Sequence, residues 1–202
     1  MRVVVATRNR HKVREIAVLL AEAGLPFQAV TIDEVAPDVT LREDEDSFEG
    51  NAVAKARQAS AACHCPAVAD DSGIEVDALG GAPGVRSARW AGETCDDARN
   101  NEKMLREMAA VLGPNRTARY RCAAAFVDVA RDVTLVRSGA CEGVILDGPR
   151  GNGGFGYDPL FFIPRLGRTM AEITLDEKNR LSHRAAAFRA LAEALRKIPQ
   201  AT

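Results

Sequence analysis

Residues 67–84, AVADDSGIEVDALGGAPG, join a short apolar run to two adjacent carboxylates, Asp70 and Asp71. The run follows Pro66 and carries no charge before Asp70, which is typical of a buried strand. Two like charges side by side raise the free energy of a folded chain unless a positive group lies next to them. The pair therefore predicts a functional site at the end of this strand, with a cation beside it.

The segments that precede this stretch alternate between strand and helix patterns. Strands are predicted at residues 3–6, 27–31 and 67–70, and helices after TRNR and at residues 48–62. This order predicts an α/β fold whose sheet is at least partly parallel. Because ligands bind at the carboxyl ends of such strands, the loops TRNRHK and DDSG are predicted to lie at one site.

The second half of the chain has a different pattern. A helix is predicted at residues 96–112, followed by two long strands, RTARYRCAAAFVDV and VTLVRSGACEGVIL, that turn at residues 130–132. A short strand, LFFI, and a helical end segment, TLDEKNRLSHRAAAFRALAEALRKI, follow. Because there is no repeat or linker, we expect one domain over residues 1–202, built as two lobes on one sheet.

Composition excludes several classes of protein. The chain has 202 residues with 27 Lys and Arg against 28 Asp and Glu, so no polyanion or membrane partner is indicated. No apolar stretch is long enough to span a membrane, which predicts a cytoplasmic protein. The five cysteines are scattered and odd in number, as expected of reduced thiols, and CHC at residues 63–65 is interpreted as a helix end.

A glycine-rich loop, GNGGFG, at residues 151–156 satisfies the dinucleotide-binding expression G-x-G-x-x-G. That motif requires a helix immediately after it, whereas YDPLFFI predicts a strand, so a Rossmann site is rejected. The loop is either a flexible turn or a segment whose backbone approaches a ligand closely.

The loop TRNRHK combines a hydroxyl, an amide and several cations where a strand leads into a helix. Lys12 lies in the first helical turn, where a positive charge opposes the helix dipole. A bound phosphate chain would compensate both the cations and the unpaired N–H groups. The alternative is a solvated basic turn.

Carboxylates predict a metal ion beside those phosphates. Asp70, Asp71 and the acidic residues 43–49 converge if the acidic loop folds over the same strand ends. Mg²⁺ binds through one or two carboxylates and retains several waters, and it would supply the missing positive charge. The second aspartate can then act as general base. A solvated loop is the alternative for the acidic run.

Six stretches occur in order along nearly the whole chain: ATRNRHK, FEGNAVAKAR, ADDSG, ALGGAPGVRSARWAG, GGFGYDPLFF and EKNRLSHRA. Together they resemble the inosine triphosphate pyrophosphatase family, whose members remove non-standard purine triphosphates, and the combination is highly specific. One position departs from the pattern, because many relatives carry an acid directly before the Asn, where this chain has Gly50 and places Glu49 one residue earlier.

The resemblance implies hydrolysis of ITP, dITP or XTP to the monophosphate and pyrophosphate, with Mg²⁺, by a homodimer. It implies an elongated central mixed sheet flanked by helices, with two lobes and the active-site cleft between them. Asp71 is implied to be general base and metal ligand, Lys12 to be catalytic, and Glu43 to be the second metal ligand, with Glu45 as the open alternative. The residues implied to bind substrate are Thr7, Arg8, Asn9, Arg10, His11, Lys12, Ser72, Phe155, Gly156, Tyr157, Asp158, Lys178, His183 and Arg184.

Base selection follows from donor chemistry. Hypoxanthine and xanthine present an acceptor at C6, where adenine presents a donor. Arg184 and His183 are donors, so adenine would leave buried groups unpaired at about 1–3 kcal/mol each. Phe155 or Tyr157 is expected to stack on the base.

Two other functions remain open at this stage. A pyrophosphatase with another base specificity would use the same acids and Lys12. A non-catalytic nucleotide-binding protein would bind nucleotide without releasing pyrophosphate. A nucleic-acid partner is not expected, because the chain has neither a basic excess nor an aromatic and basic stripe.

Overall fold

Seven strands and six α-helices form the structure, a computed structural model in which residues 1–198 are described. The strands are β1 (Arg2–Val5), β2 (Gln28–Thr31), β3 (Ala67–Val76), β4 (Thr117–Asp128), β5 (Val133–Ile145), β6 (Phe161–Ile163) and β7 (Arg168–Thr169). The helices are α1 (Arg10–Glu22), α2 (Ile32–Val35), α3 (Phe48–Cys63), α4 (Asp97–Glu107), α5 (Leu175–Leu181) and α6 (His183–Leu195). The strand order is β2-β1-β3-β4-β5-β6-β7. Since β1 pairs in parallel with β2 and β3 while β6 pairs antiparallel with β5 and β7, the predicted α/β fold with a mixed sheet is confirmed.

The chain divides into two compact units, and each has its own apolar core. Unit 1 comprises Met1–Asp71, Cys122–Gly139 and the described residues from His183 onward. Its core includes Val5, Ile16, Val68, Phe126 and Leu191. Unit 2 comprises Ser72–Arg121 and Ala140–Ser182, and its core includes Ile74, Met104, Met108, Phe161 and Met170.

Strand β3 is longer than predicted, and this changes the setting of the two carboxylates. The prediction of a strand that ends in a DDSG loop is wrong, because β3 continues to Val76. Its parallel pairing with β1 ends where Val68 lies opposite Val5, whereas β4 borders its other edge. Successive side chains of a strand point to opposite faces. Asp70 and Asp71 therefore point to different helices rather than to each other.

Side-chain caps determine where α1 and α3 begin. The amide oxygen of Asn9 accepts hydrogen bonds from the backbone nitrogens of His11 and Lys12, at 2.9 and 3.2 Å. Ser47 caps α3 in the same way through the nitrogen of Gly50, at 3.0 Å. The predicted helix at residues 48–62 is confirmed as Phe48–Cys63. The CHC stretch is the end of this helix, as predicted, and all five cysteines are free.

Helix α4 is shorter than the predicted 96–112: it ends at Glu107, and an arginine binds carbonyls in the turn that follows. Arg116 Nη1 donates to the carbonyl oxygens of Met108 and Val111, at 2.9 and 3.0 Å. These carbonyls are consequently used outside the helix. The predicted hairpin of β4 and β5 is confirmed, as is the strand rather than helix after the glycine-rich loop.

Gly139 in β5 lies against the first turn of α6. A Cβ at this position would lie closer than a real Cβ can to the carbonyl oxygen of His183 and the backbone nitrogen of Ala187. Because both are backbone atoms, Gly139→Ala is expected to lower the free energy of unfolding by about 1–3 kcal/mol. Chemical denaturation measures it, with Gly148→Ala as the control, since a Cβ there meets nothing within 4 Å. Equal midpoints for the two variants would contradict this packing.

Candidate functional site

Asp70 is fully buried in unit 1 and lies between two cations from different helices. Its Oδ2 is 3.2 Å from Lys12 Nζ on α1, and it accepts from Arg184 Nε and Nη2 on α6, each at 3.0 Å. Burial by itself would raise the pKa of Asp70, but Lys12 and Arg184 outweigh it and hold that pKa well below its usual range. The fold therefore favours the charged form of Asp70, which pairs with Lys12.

Arg184 is bound on its other side by a second buried carboxylate. Its Nη1 donates to Glu15 Oε2, and the side chains of Arg184 and Glu15 are only 1% and 4% exposed. Glu15 lies beside Ile16 on the buried face of α1. Lys12, Asp70, Arg184 and Glu15 thus form one alternating chain of charges inside unit 1.

Asp71 points to α3, where an amide and an ammonium group contact it. Its Oδ2 accepts from Asn51 Nδ2 at 3.0 Å, and its Oδ1 lies 3.4 Å from Lys55 Nζ. Lys55 Nζ also donates to Glu43 Oε1. Burial raises the pKa of Asp71 above its ordinary value, although Lys55 and Lys12 act against this. The two neighbouring carboxylates consequently differ: the fold favours the charged form of Asp70 and disfavours that of Asp71.

Lys55 remains charged at this site. Burial would lower its pKa, but Asp71, Asp70 and Glu43 outweigh burial and raise it. The cation that the carboxylate pair requires is therefore supplied in part by the chain itself, through Lys55, Lys12 and Arg184. The sequence predicts Mg²⁺ as the positive charge beside the pair, and the structure adds these three cations of the chain.

The acidic loop, residues 36–47, brings Glu43 to this group. The backbone nitrogen of Arg42 donates to Gln58 Oε1 at 2.9 Å, and that of Glu45 donates to Asn51 Oδ1 at 3.0 Å. Of the two acids left open from sequence, the structure places the Glu43 carboxylate beside Lys55. Glu49, the acid out of register with the family pattern, accepts from Ser138 Oγ at 2.5 Å.

The loop between β1 and α1 uses several of its polar groups internally. Thr7 Oγ1 accepts from the nitrogen of Asn9 at 3.2 Å, and Asn9 caps α1 as described above. Arg8 bonds with Asp33 and with two backbone carbonyls. Arg10 and His11 are exposed at the start of α1, and Lys12 is the cation of this loop that the described contacts place beside Asp70.

The predicted FGYD residues and Lys178 form a separate group in unit 2. Lys178 Nζ donates to Asp158 Oδ2 at 2.6 Å and lies 4.5 Å from the centre of the Phe155 ring. Asp158 also accepts from Tyr120 Oη at 3.1 Å and from the nitrogen of Phe155 at 3.0 Å. Tyr157 Oη donates to the carbonyl oxygen of Ser87 at 2.9 Å. This unit also contains the partly buried Ser72, whereas His183 and Arg184 are buried in unit 1.

The donor chemistry of Glu43 and Asp71 fits a divalent cation. Within residues 1–198, no three or more Asp, Glu, His or Cys side chains are arranged as a metal centre. The carboxylates of Glu43 and Asp71 nevertheless both lie beside the ammonium group of Lys55, so their hard oxygen atoms already surround a positive charge. Mg²⁺ requires only one or two such carboxylates together with water and phosphate oxygens.

Three residues of the site were not singled out from sequence. Asn51 and Lys55 are four residues apart in an alanine-rich helix, so they lie on one face, and this spacing is the signal that could have found them. Glu15 lies within the apolar stripe of α1, where a carboxylate indicates a buried cation.

The chain is similar to known proteins over nearly its full length. The Ham1 family model matches residues 3–194. The dITP/XTP pyrophosphatase of Geobacillus kaustophilus (strain HTA426) is 49% identical over 191 residues, which are 95% of this chain and 92% of that protein. The dITP/XTP pyrophosphatase of Escherichia coli (strain K12) is 46% identical over 96% of this chain and 98% of its own length. Among solved structures, a HAM1 protein from Coxiella burnetii gives a TM-score of 0.87 at 37% identity, covering 98% of this chain and 100% of its own.

Proposed function

The chain belongs to the Ham1 family, and on that premise we propose that it hydrolyses dITP, XTP and ITP to the monophosphate and pyrophosphate. The observation that carries the proposal is the charged array of unit 1, in which Lys12 is paired with the buried Asp70 and the buried Lys55 with Asp71 and Glu43. Two fixed ammonium groups suit a polyphosphate, and a carboxylate with a raised pKa suits the activation of water.

Asp71 is the proposed general base. Burial raises its pKa, and a stronger base accepts a proton from water more readily at neutral pH. Asn51 holds Oδ2 by a hydrogen bond of 3.0 Å, and Lys55 Nζ lies 3.4 Å from Oδ1, so both contacts fix the orientation of this carboxylate. Asn51 is accordingly a positioning residue for Asp71.

Lys12 and Lys55 are proposed to stabilise negative charge on the phosphate oxygens. Lys12 is kept in place by Asp70, and its side chain is 14% exposed. Phosphoryl transfer depends mainly on positioning and electrostatic stabilisation, so fixed cations of this kind are sufficient to make a large contribution.

Mg²⁺ is the proposed cofactor, and Glu43 and Asp71 are the residues that would hold it. When bound, the ion would supply Lewis-acid polarisation of a phosphate oxygen. Removal of divalent ions with EDTA is therefore expected to abolish turnover, and addition of Mg²⁺ to restore it.

Lys178 is the proposed donor that selects the base. Its buried ammonium group lies beside Phe155, whose ring is suited to stacking. The C6 oxygen of hypoxanthine or xanthine accepts a hydrogen bond from such a donor, whereas the amino group of adenine does not, a difference of about 5- to 150-fold. His183 remains a second candidate. Arg184 is not retained as a base donor, because Nε, Nη1 and Nη2 all bond carboxylates.

A substrate panel tests the base specificity. We expect kcat/KM with Mg²⁺ to be about 5- to 150-fold higher for dITP, XTP and ITP than for ATP, and higher than for UTP. A preference for UTP would favour a pyrophosphatase of other specificity. Nucleotide binding without turnover of any substrate would favour a non-catalytic role.

The homodimer and the cytoplasmic location also remain proposals. None of the helices within residues 1–198 combines the length and the apolar character that crossing a bilayer requires. Light scattering on the purified protein tests the dimer directly, and we expect about twice the mass of 21.7 kDa.

A further inference from the structure

Arg8 lies in the loop between β1 and α1, but its guanidinium contacts the acidic loop rather than its own. Nη1 donates to the carboxylate of Asp33 in α2. Nη2 donates to the carbonyl oxygens of Pro37 and Val39, at 2.6 and 2.8 Å. Because one planar guanidinium bonds with a carboxylate and two carbonyls, Arg8 joins the loop expected to hold phosphates to the loop that carries Glu43.

The opposite end of the acidic loop is held by α3. Gln58 contacts Arg42, Lys55 contacts Glu43, and Asn51 contacts the nitrogen of Glu45. Arg8 adds an attachment at residues 37–39, four residues before Glu43, from a different part of unit 1. The position of Glu43 therefore depends on two anchors, and only one of them belongs to the helix that the loop leads into.

We propose that Arg8 is a positioning residue that keeps residues 37–46 in place and thereby holds the Glu43 carboxylate beside Lys55 and Asp71. This replaces the sequence-based expectation that Arg8 binds the triphosphate. The effect of Arg8 on metal binding rests on the proposed function, whereas its attachment of the loop is a property of the protein without ligands.

Hydrogen exchange on the protein without metal or nucleotide tests the attachment. In Arg8→Ala, the hydrogen-bonded backbone amides of Val39, Arg42 and Glu45 are expected to exchange about tenfold faster, because hydrogen bonds from a charged group that hold this loop are lost. Asp33→Ala is expected to accelerate the same amides, since it removes the carboxylate that orients Arg8. Arg14→Ala is the matched control, because Arg14 is an exposed arginine of α1 and its loss removes the same charge. Exchange at wild-type rates in both Arg8→Ala and Asp33→Ala would overturn the proposal.

The Asp33 variant also separates positioning from phosphate binding. If Arg8 positions Glu43, Arg8→Ala and Asp33→Ala both weaken Mg²⁺ binding in calorimetry without nucleotide, by about tenfold for Arg8→Ala. If Arg8 instead binds phosphate, Arg8→Ala raises the KM for dITP at saturating Mg²⁺, whereas Asp33→Ala lowers it or leaves it unchanged by removing a negative charge. A raised KM in Arg8→Ala together with a lowered or unchanged KM in Asp33→Ala would overturn the proposal. A wild-type protein that releases no pyrophosphate would refute the proposed function and leave the exchange result standing.

Discussion

Asp71→Asn is expected to lower kcat for dITP by about 10²- to 10⁴-fold without loss of stability. The catalytic loss follows because an amide cannot accept the proton from water. Stability is retained because burial disfavours the charged form of Asp71, as its raised pKa indicates, and a neutral Asn avoids that cost. The amide oxygen of the Asn can still accept the hydrogen bond that Asn51 donates. Steady-state kinetics and urea denaturation of the same preparation measure both effects.

Asp70→Asn is the matched control, and its effect on stability has the opposite sign. The fold favours the charged form of Asp70 through Lys12 and Arg184, so the neutral variant leaves both buried cations with less compensation. Its free energy of unfolding is expected to fall, whereas that of Asp71→Asn stays equal to the wild type or rises. Near-normal turnover by Asp71→Asn would show that Asp71 is not the base.

Arg184→Met is expected to lower the free energy of unfolding by about 3–5 kcal/mol, a large part of the stability of a domain. The guanidinium is 1% exposed and holds the buried carboxylates of Glu15 and Asp70 together. Its removal takes this cation away from Glu15, and Asp70 then keeps Lys12 as its positively charged neighbour. Denaturant unfolding measures the loss, and Arg189→Met on the exposed face of the same helix is the control.

A second substitution tests the cause of that loss. If an uncompensated buried carboxylate is responsible, adding Glu15→Gln to Arg184→Met is expected to recover part of the stability, although Glu15→Gln alone destabilises the protein. A loss below about 1 kcal/mol for Arg184→Met, or no recovery in the double variant, would contradict the role of Arg184 in this charge chain.

The elements that bury one regular apolar face could be predicted from sequence. The apolar stripe of α1, the alanine-rich α3 and the hairpin of β4 and β5 all follow the period of their secondary structure. The continuation of β3 through Asp70 and Asp71 could not be predicted, because adjacent charges resemble a strand end until their partners on two faces are known. These partners, Lys12 and Arg184 on one face and Asn51 and Lys55 on the other, come from helices far apart in the chain.

Candidate site residues could be named from sequence where they stand in or near a motif, and they were missed where only tertiary contacts indicate a role. Asp71 and Lys12 stand in recognisable stretches, Glu43 lies five residues before one, and the structure places all three in unit 1. Lys55 resembles an ordinary solvated helix charge in the sequence, yet its side chain is only 5% exposed. The family resemblance implies that Arg8 and Arg184 bind substrate. In the structure their guanidinium groups bond with carboxylates and carbonyls of the protein, contacts that no local pattern indicates.

The bond that is cleaved tests the central claim most directly. Wild-type protein would be incubated with dITP and Mg²⁺, and the nucleotide products, pyrophosphate and orthophosphate would be quantified separately. We predict dIMP and pyrophosphate in equal amounts with no orthophosphate, and a rate lowered by orders of magnitude in Asp71→Asn. Formation of dIDP and orthophosphate would contradict the account, since the terminal phosphate would then be the group removed.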